Sequence, residues 1–246
     1  YYHFCMSTLL LSETKSVLSD LISLRRNISK YCSELERYSD CILRDSFHKG
    51  ESNRYYYLKK KGVSGRKYLG PESNETVCKI KDAKYYESLL QIVDSDIQYT
   101  TLFRSAEWKR QKEKEKAQYA LYRPEDLTHR ALDNTMMRSL SEVNIANYLI
   151  SLGITFVYEL PMKYRGKIVC PDFTILSPVD NKTVIIIEHQ GAIGNESYDA
   201  KFLRTLHFYL QTDLVPNKDV FFTFNHMNGN LDLRQIDKIL HMAFRI

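Results

Sequence analysis

The spacing of apolar residues gives the first half of the chain a long helical pattern. Apolar positions three and four residues apart form an a/d heptad seam, and no Gly or Pro interrupts residues 7–49, which predicts a long helix. The seam consists of Leu21, Leu24, Ile28, Tyr31, Leu35, Tyr38 and Ile42. So narrow a seam needs a partner helix, either the helical stretch that begins at Asp82 or the same helix of a second subunit in a homodimer. An internal hairpin of helices is favoured because the second helix is present in the chain.

Between these helices, two β-prone runs at 54–58 and 66–69 flank a loop with Gly62 and Gly65, which predicts a β-hairpin. Residues 54–67 contain six basic residues, no acid and interleaved tyrosines. The basic candidates are Arg54, Lys59, Lys60, Lys61, Arg66 and Lys67. Two interpretations fit this segment. Either the cations bind nucleic-acid phosphates while aromatic rings stack on bases, or the hairpin is a solvated tip whose tyrosines pack on the helices.

The second half alternates between helical and strand patterns. The predicted order is α-β-β-β-α-β-α, over residues 141–152, 154–160, 167–176, 183–189, 198–210, 219–224 and 233–244. Strands that alternate with helices around a short antiparallel meander predict an α/β (α+β) layered core. The sequence therefore predicts two domains, a helical coiled-coil arm with a β-hairpin at 1–122 and a layered domain at 123–246, with the boundary near Pro124.

Charge separates the same two halves. Residues 1–120 carry 22 Lys and Arg against 16 Asp and Glu, whereas residues 121–246 carry 13 against 14. The basic half is therefore the expected partner of a polyanion. No stretch approaches the roughly 20 apolar residues that span a bilayer, and the first residues lack the pattern of a signal peptide. The five Cys form no CxxC pair, so we expect a reducing, cytoplasmic setting and no membrane partner.

Three acids occupy positions where an unpartnered charge is unfavourable. Asp172 falls in the middle of the predicted second strand, Glu188 ends an aliphatic strand, and Glu142 begins the helix before the sheet. If the second and third strands are neighbours, Asp172 and Glu188 lie side by side, and two carboxylates there suit Mg²⁺ or Mn²⁺. Strand alternation places Gln190 on the face of Glu188 and His189 on the other.

Pro171-Asp172, fifteen residues, and then Glu188-His189-Gln190 resemble the motif of the PD-(D/E)xK nuclease superfamily. The resemblance covers about residues 128–245 and includes the order of helices and strands. The segment from Arg138 to Glu142 resembles the opening of the first core helix in such nucleases. The resemblance as a whole implies a restriction-endonuclease-like αβββαβα core and a phosphodiesterase that uses Mg²⁺ or Mn²⁺.

The resemblance also implies roles for individual residues. Asp172, Glu188 and the backbone carbonyl of His189 would hold the metal, and Glu142 would bind it directly or through water. Gln190 stands where the family has Lys, and it can orient a water but carries no charge. Lys201, on the following helix, is either a migrated replacement or a solvated surface lysine. Arg138 is a further candidate for contact with nucleic acid.

The sequence thus favours a metal-dependent nuclease that acts on DNA and grips it with the basic hairpin. The alternative is a catalytically inactive nuclease-fold protein that serves as a nucleic-acid-binding or coiled-coil interaction module. Three acids in and beside apolar strands favour the enzyme.

Overall fold

The computed structural model describes residues 2–47, 54–60, 62, 64–120, 123–191, 194–226 and 229–245, and the side chains of these except at 2–13 and 47. The chain forms two compact units, Tyr1–Thr101 (unit 1) and Leu102–Ile246 (unit 2). The sequence placed the boundary at 122/123 from composition and charge. The compact units instead divide inside a long helix, whose residues from Leu102 onward belong to unit 2.

In unit 1, a small antiparallel sheet lies in sequence between two long helices. Its elements are α1 (Tyr2–Glu34), β1 (Cys41–Phe47), β2 (Arg54–Lys60), β3 (Lys67–Pro71) and the first part of α2 (Glu75–Lys116). The order of strands in the sheet is β1-β2-β3. The hairpin predicted between 54 and 69 is confirmed, because β2 pairs antiparallel with β3.

The heptad seam does not continue as far as the sequence predicted. Helix α1 ends at Glu34, and Ile42 lies on β1 rather than on a helix. Residues 41–47 pair with β2 in an unbroken antiparallel register, so strand pairing overrides the helical phase there. The helix α1 does meet α2 in the same chain, since the rings of Tyr31 and Tyr86 stack with centroids 5.1 Å apart. Arg25 Nε also donates to Asp94 Oδ1 at 2.5 Å.

Unit 2 contains a mixed sheet between helices. The last part of α2 is followed by β4 (His129–Arg130), β5 (Met136–Met137), α3 (Leu140–Ser151), β6 (Phe156–Tyr158), β7 (Met162–Tyr164), β8 (Lys167–Val169), β9 (Phe173–Leu176), β10 (Val184–Gln190), α4 (Glu196–Leu210), β11 (Val220–Phe224) and α5 (Arg234–Phe244). Within it the predicted α-β-β-β-α-β-α order is present, with β7 and β8 as an additional hairpin. The chain is thus a mixed α/β protein of the α+β kind.

The central sheet of unit 2 has the strand order β11-β10-β9-β6. Its strands β6, β9 and β10 form the antiparallel meander, and β11 adds parallel to β10 after the crossover through α4. A parallel neighbour requires such a crossover, because a tight turn can join only antiparallel strands. Ile187 is paired with Phe173, so the residues after and before this pair, Glu188 and Asp172, lie at the same end of the sheet.

Alternation along β10 divides the core into two layers. Ile185 and Ile187 belong to a large apolar cluster with α3 and α5, whereas Ile186 packs with Phe208 and Tyr209 of α4. All three isoleucines are less than 5% exposed, as expected for a strand covered on both faces. Glu188 has the parity of Ile186 and therefore faces α4.

The predicted second strand, 167–176, is wrong as a continuous element. Residues Lys167–Val169 pair with β7 as β8, and Phe173–Leu176 form β9 in the central sheet. Pro171 between them has no N–H to donate to a ladder, which explains the break. Asp172 therefore lies just before β9 and not in the middle of a strand.

Candidate active site

Two carboxylates meet where β9 begins and β10 ends. The amide N–H of His189 donates to Asp172 Oδ2 at 2.7 Å, which ties the side chain of Asp172 to the residue after Glu188. The hydroxyl of Tyr209 donates to Glu188 Oε1 at 2.6 Å. The backbone amide of Asp172 also lies close enough to the Glu188 carboxylate to oppose the rise in the pKa of that acid.

Electrostatics at this pair disfavours two negative charges. Both side chains keep some exposed surface, but they lie deep enough that desolvation is the largest influence on each. Burial, followed by the charges of Glu188 and Glu142, holds the pKa of Asp172 well above its ordinary range. Burial raises the pKa of Glu188 to about 7, against the opposing effects of the Tyr209 hydrogen bond and the charge of Lys201. A positively charged ligand would relieve this repulsion.

A small cavity of about 30 Å³ opens onto both carboxylates. This is enough space for a water or a small ion. Its lining consists of Asp172, Glu188, His189, Gln190, Lys201, Phe202, Thr205 and Phe222. The structure thus brings together four of the predicted site side chains, Asp172, Glu188, Gln190 and Lys201, around one space.

Gln190 and Lys201 contribute different groups to this cavity. The side-chain nitrogen of Gln190 is buried and has no hydrogen-bond partner within the described part of the chain, which is unusual for a buried donor. Lys201 is exposed on α4, and its charge lowers the pKa values of both Asp172 and Glu188. It lies near enough to act on both carboxylates by charge, and no ion pair of 4.0 Å or less joins it to either acid.

Glu142 is held by the first turn of α3. Ser139 and Glu142 form a capping box in which the Ser139 hydroxyl accepts from the Glu142 amide. Oε2 of Glu142 accepts from the amides of Arg138 and Ser139 at 3.0 and 3.2 Å, and from the hydroxyl of Tyr158 at 2.7 Å. The cap explains why this acid is buried, and its charge reaches the pair by raising the pKa values of Asp172 and Glu188.

His189 points away from the carboxylates, as alternation predicted. Its Nδ1 lies 3.0 Å from Thr223 Oγ1 on the neighbouring strand β11. Burial lowers the pKa of His189 to about 4, so the ring is neutral near pH 7. This side chain is a packed, hydrogen-bonded histidine, and only its backbone remains a candidate ligand.

The donor set fits a hard divalent cation with few protein ligands. No group of three or more His, Cys, Asp or Glu side chains converges as a metal site in the described ranges. Two carboxylates, Asp172 and Glu188, line the same small cavity. Mg²⁺ commonly binds through one or two carboxylates and completes its shell with water and substrate phosphate. Asp172 and Glu188 therefore match Mg²⁺ or Mn²⁺, with Glu142 as a neighbouring charge.

The predicted basic residues separate in space. Strand alternation places Lys59 on the face of β2 that carries Tyr57, and Arg54 and Lys60 on the opposite face. Lys67 is paired with Leu58 on that opposite face, whereas the Arg66 guanidinium lies 5.7 Å from the ring centre of Tyr57. Lys61 lies outside the described residues.

Arg138 is engaged within unit 2. Its Nε and Nη2 donate to the two carboxylate oxygens of Glu159 at 2.5 and 3.2 Å, and its Nη1 donates to the carbonyl of Arg123 at 2.9 Å. Its side chain is 19% exposed. In this arrangement Arg138 secures the entry to α3 beside the capping box, and its contact with nucleic acid stays a prediction.

Sequence reasoning missed two tyrosines that organise the acids. Tyr158 on β6 bonds Glu142, and Tyr209 on α4 bonds Glu188. Burial raises the pKa of both phenols above their ordinary value, so both hydroxyls remain donors. The sequence signal was weak, because 18 tyrosines are spread along the chain and a helical stripe does not show which ring reaches a strand end.

None of the helices in the described ranges has both the length and the apolar character that crossing a membrane requires. Comparison with known proteins found no matching family model, no matching curated protein and no matching solved structure.

Proposed function

We propose that the chain is a divalent-metal-dependent nuclease of the PD-(D/E)xK type that hydrolyses phosphodiester bonds in DNA. The observation that carries the proposal is the pair Asp172 and Glu188 at one end of the central sheet, open to a cavity that Lys201 and Gln190 also line. The restriction-endonuclease-like identity of the αβββαβα core is part of the same proposal. It is supported by the meander of β6, β9 and β10 and by β11 beside β10.

Each residue at the cavity has a role that follows from its chemistry. Asp172 and Glu188 would hold Mg²⁺ or Mn²⁺ through carboxylate oxygens at the cavity. The bound metal would supply an activated water and charge screening at the phosphate. Gln190 has a buried donor without a protein partner, and this amide orients a water or a phosphate oxygen. Lys201 offsets negative charge on the phosphate as it builds up during attack.

The experiment compares cleavage by the wild type with cleavage by two isosteric variants. The substrates are supercoiled, linear and single-stranded DNA, with RNA as a further arm, each in Mg²⁺, Mn²⁺ or EDTA. Asp172→Asn and Glu188→Gln preserve shape but remove the charged ligands, so both should abolish metal-dependent cleavage. Matched controls are Asp213→Asn and Glu196→Gln, which alter exposed acids outside the cavity. Cleavage that persists in EDTA, or that survives both site substitutions, would refute the assignment.

One observation favours a second candidate, a nuclease-fold protein that binds nucleic acid without turnover. The side chain on β10 that follows Glu188 by two residues is an uncharged Gln190, and Lys201 is exposed to solvent. The same assay separates the candidates, because such a protein would retain DNA in a mobility shift while leaving it intact in every metal.

A further inference from the structure

The three-stranded sheet of unit 1 has one face toward the helices. Tyr56 on β2 is 5% exposed, and its hydroxyl oxygen lies 3.0 Å from Lys81 Nζ of α2. Cys41, opposite Lys60 on β1, is 3% exposed on this same face. Since side chains alternate along a strand, the neighbours of Tyr56 in sequence lie on the other face.

The other face carries a cluster of three tyrosines. The ring centre of Tyr68 on β3 lies 5.3 Å from that of Tyr57 and 6.3 Å from that of Tyr55. Tyr68 is 53% exposed, although a ring of this size is normally a large contribution to a core. The ring of Tyr68 is therefore open to solvent on the side of the sheet away from Tyr56, and the half-buried rings of Tyr57 and Tyr55 lie beside it.

A β-bulge creates this cluster. The register runs from Tyr56 opposite Gly70 directly to Tyr57 opposite Tyr68, so Leu69 is passed over. Gly70 has φ +102°, a conformation that favours glycine at such a bulge. Without the extra residue, Leu69 would lie opposite Tyr57 and Tyr68 would point to the helices.

The cations on this face surround the rings. Arg44 on β1 is directly opposite Tyr57, Lys59 follows Tyr57 by two residues, and Arg66 lies over the Tyr57 ring. All three cations are exposed. Among the described positions of β1, β2 and β3, this face has no acid, because Asp45 lies on the opposite face beside Arg54.

We propose that this face, defined by Tyr55, Tyr57, Tyr68, Arg44, Lys59 and Arg66, is a stacking platform for single-stranded nucleic acid. Such a ligand offers both features that the face complements, flat aromatic bases and a row of phosphates. A duplex keeps its bases stacked on one another, so its phosphates alone would engage the cations. The inference does not rest on the proposed nuclease function, because the platform lies in unit 1 and binds without hydrolysis.

The test uses the full chain in EDTA, so that metal-dependent cleavage does not interfere. Fluorescence anisotropy measures the affinity for labelled dT15, and a 15-base-pair duplex and poly-glutamate serve as competitors. Tyr68→Ala should weaken dT15 binding by about 10-fold, within the range of one lost base stack, and Tyr68→Phe should retain most of the affinity. Tyr99→Ala, which removes a 71% exposed tyrosine from α2, is the matched control and should bind as the wild type does.

A second variant keeps the proposal falsifiable if Tyr68→Ala does not fold. Arg44→Gln with Lys59→Gln changes only exposed side chains. The negative slope of log affinity against log salt should become less steep by about 0.7 for each lost single-strand phosphate contact. Lys30→Gln on α1 should leave this slope unchanged. Any one of three results would overturn the platform. Tyr68→Ala could bind dT15 with unchanged affinity, or the double variant could keep the wild-type salt slope. Poly-glutamate could also displace labelled dT15 as effectively as unlabelled dT15 does.

Discussion

Removing the charge of Glu188 should stabilise the metal-free protein near neutral pH. The pKa of this carboxyl rises from the ordinary 4.5 to about 7 in the folded chain. A raised folded-state pKa means that the native state prefers the protonated acid. The protonated Glu188 therefore contributes its full stabilisation of the native state below pH 4.5, and this stabilisation is lost as the pH rises through about 7. Since one pKa unit is equivalent to about 1.4 kcal/mol, the loss above pH 7 is at most about 3 kcal/mol.

Glu188→Gln isolates this effect. The amide oxygen of Gln can still accept from Tyr209, but the side chain no longer titrates. In EDTA at pH 8 the variant should exceed the wild type in free energy of unfolding by up to about 3 kcal/mol, and the difference should vanish near pH 4.5. The removal of a charge beside Asp172 acts in the same direction, because Glu188 raises the pKa of Asp172.

Urea denaturation between pH 4.5 and 8 measures the difference. The single tryptophan, Trp108, lies in unit 2 and provides a fluorescence signal from the relevant unit. Glu196→Gln is the control, since it changes an exposed acid on α4 and should leave the pH dependence as in the wild type. Added Mn²⁺ should stabilise the wild type at pH 8 and not Glu188→Gln. The free energies of unfolding of wild type and variant could instead follow parallel pH profiles, or the variant could be the less stable protein at pH 8. Either result would show that the buried charge of Glu188 does not destabilise the wild type.

Two further predictions concern the neighbours of the carboxylate pair. Lys201→Ala should reduce metal-dependent cleavage by on the order of 100-fold, while the Mn²⁺ affinity measured by calorimetry should not weaken. Lys201→Arg should restore part of the rate. Equal rates in the wild type and in Lys201→Ala would contradict the role of this cation. Tyr209→Phe removes a donor to Glu188 Oε1 and should raise the pKa of Glu188, so the acidic limb of the pH–rate profile should move to higher pH. A profile that does not move would mean that Glu188 does not control that limb.

The sequence predicted the second half of the chain well because its signals were local. Aliphatic runs, Gly and Pro marked most helix and strand limits, and the pairing of β9 with β10 makes Asp172 and Glu188 neighbours. The break between β8 and β9 was not predicted, although Pro171, which cannot donate to a ladder, marks its position. Such signals identify where an element stops, even where a strand propensity continues through it.

What the sequence did not predict depended on contacts between distant elements. The strand β1 shares the heptad phase of α1 up to Ile42, and only its pairing with β2 decides its conformation. The bulge at Leu69 is equally a product of pairing, and it determines that Tyr68 joins Tyr57 rather than the core. The bond from Tyr209 to Glu188 joins α4 to β10, and no periodicity specifies that meeting.

The two kinds of buried acid in unit 2 differ in what the fold supplies to them. Oε2 of Glu142 accepts three hydrogen bonds and completes a helix cap, so local structure accounts for its burial. Asp172 accepts from the His189 amide at 2.7 Å and Glu188 from the Tyr209 hydroxyl at 2.6 Å, and the charge of Glu188 raises the pKa of Asp172. An ionised carboxylate is unfavourable in such a position unless a cation joins it. The fold is expected to be more stable with a neutral residue at 188, and the proposed metal would offset the negative charge that the acid pair places at the end of β10.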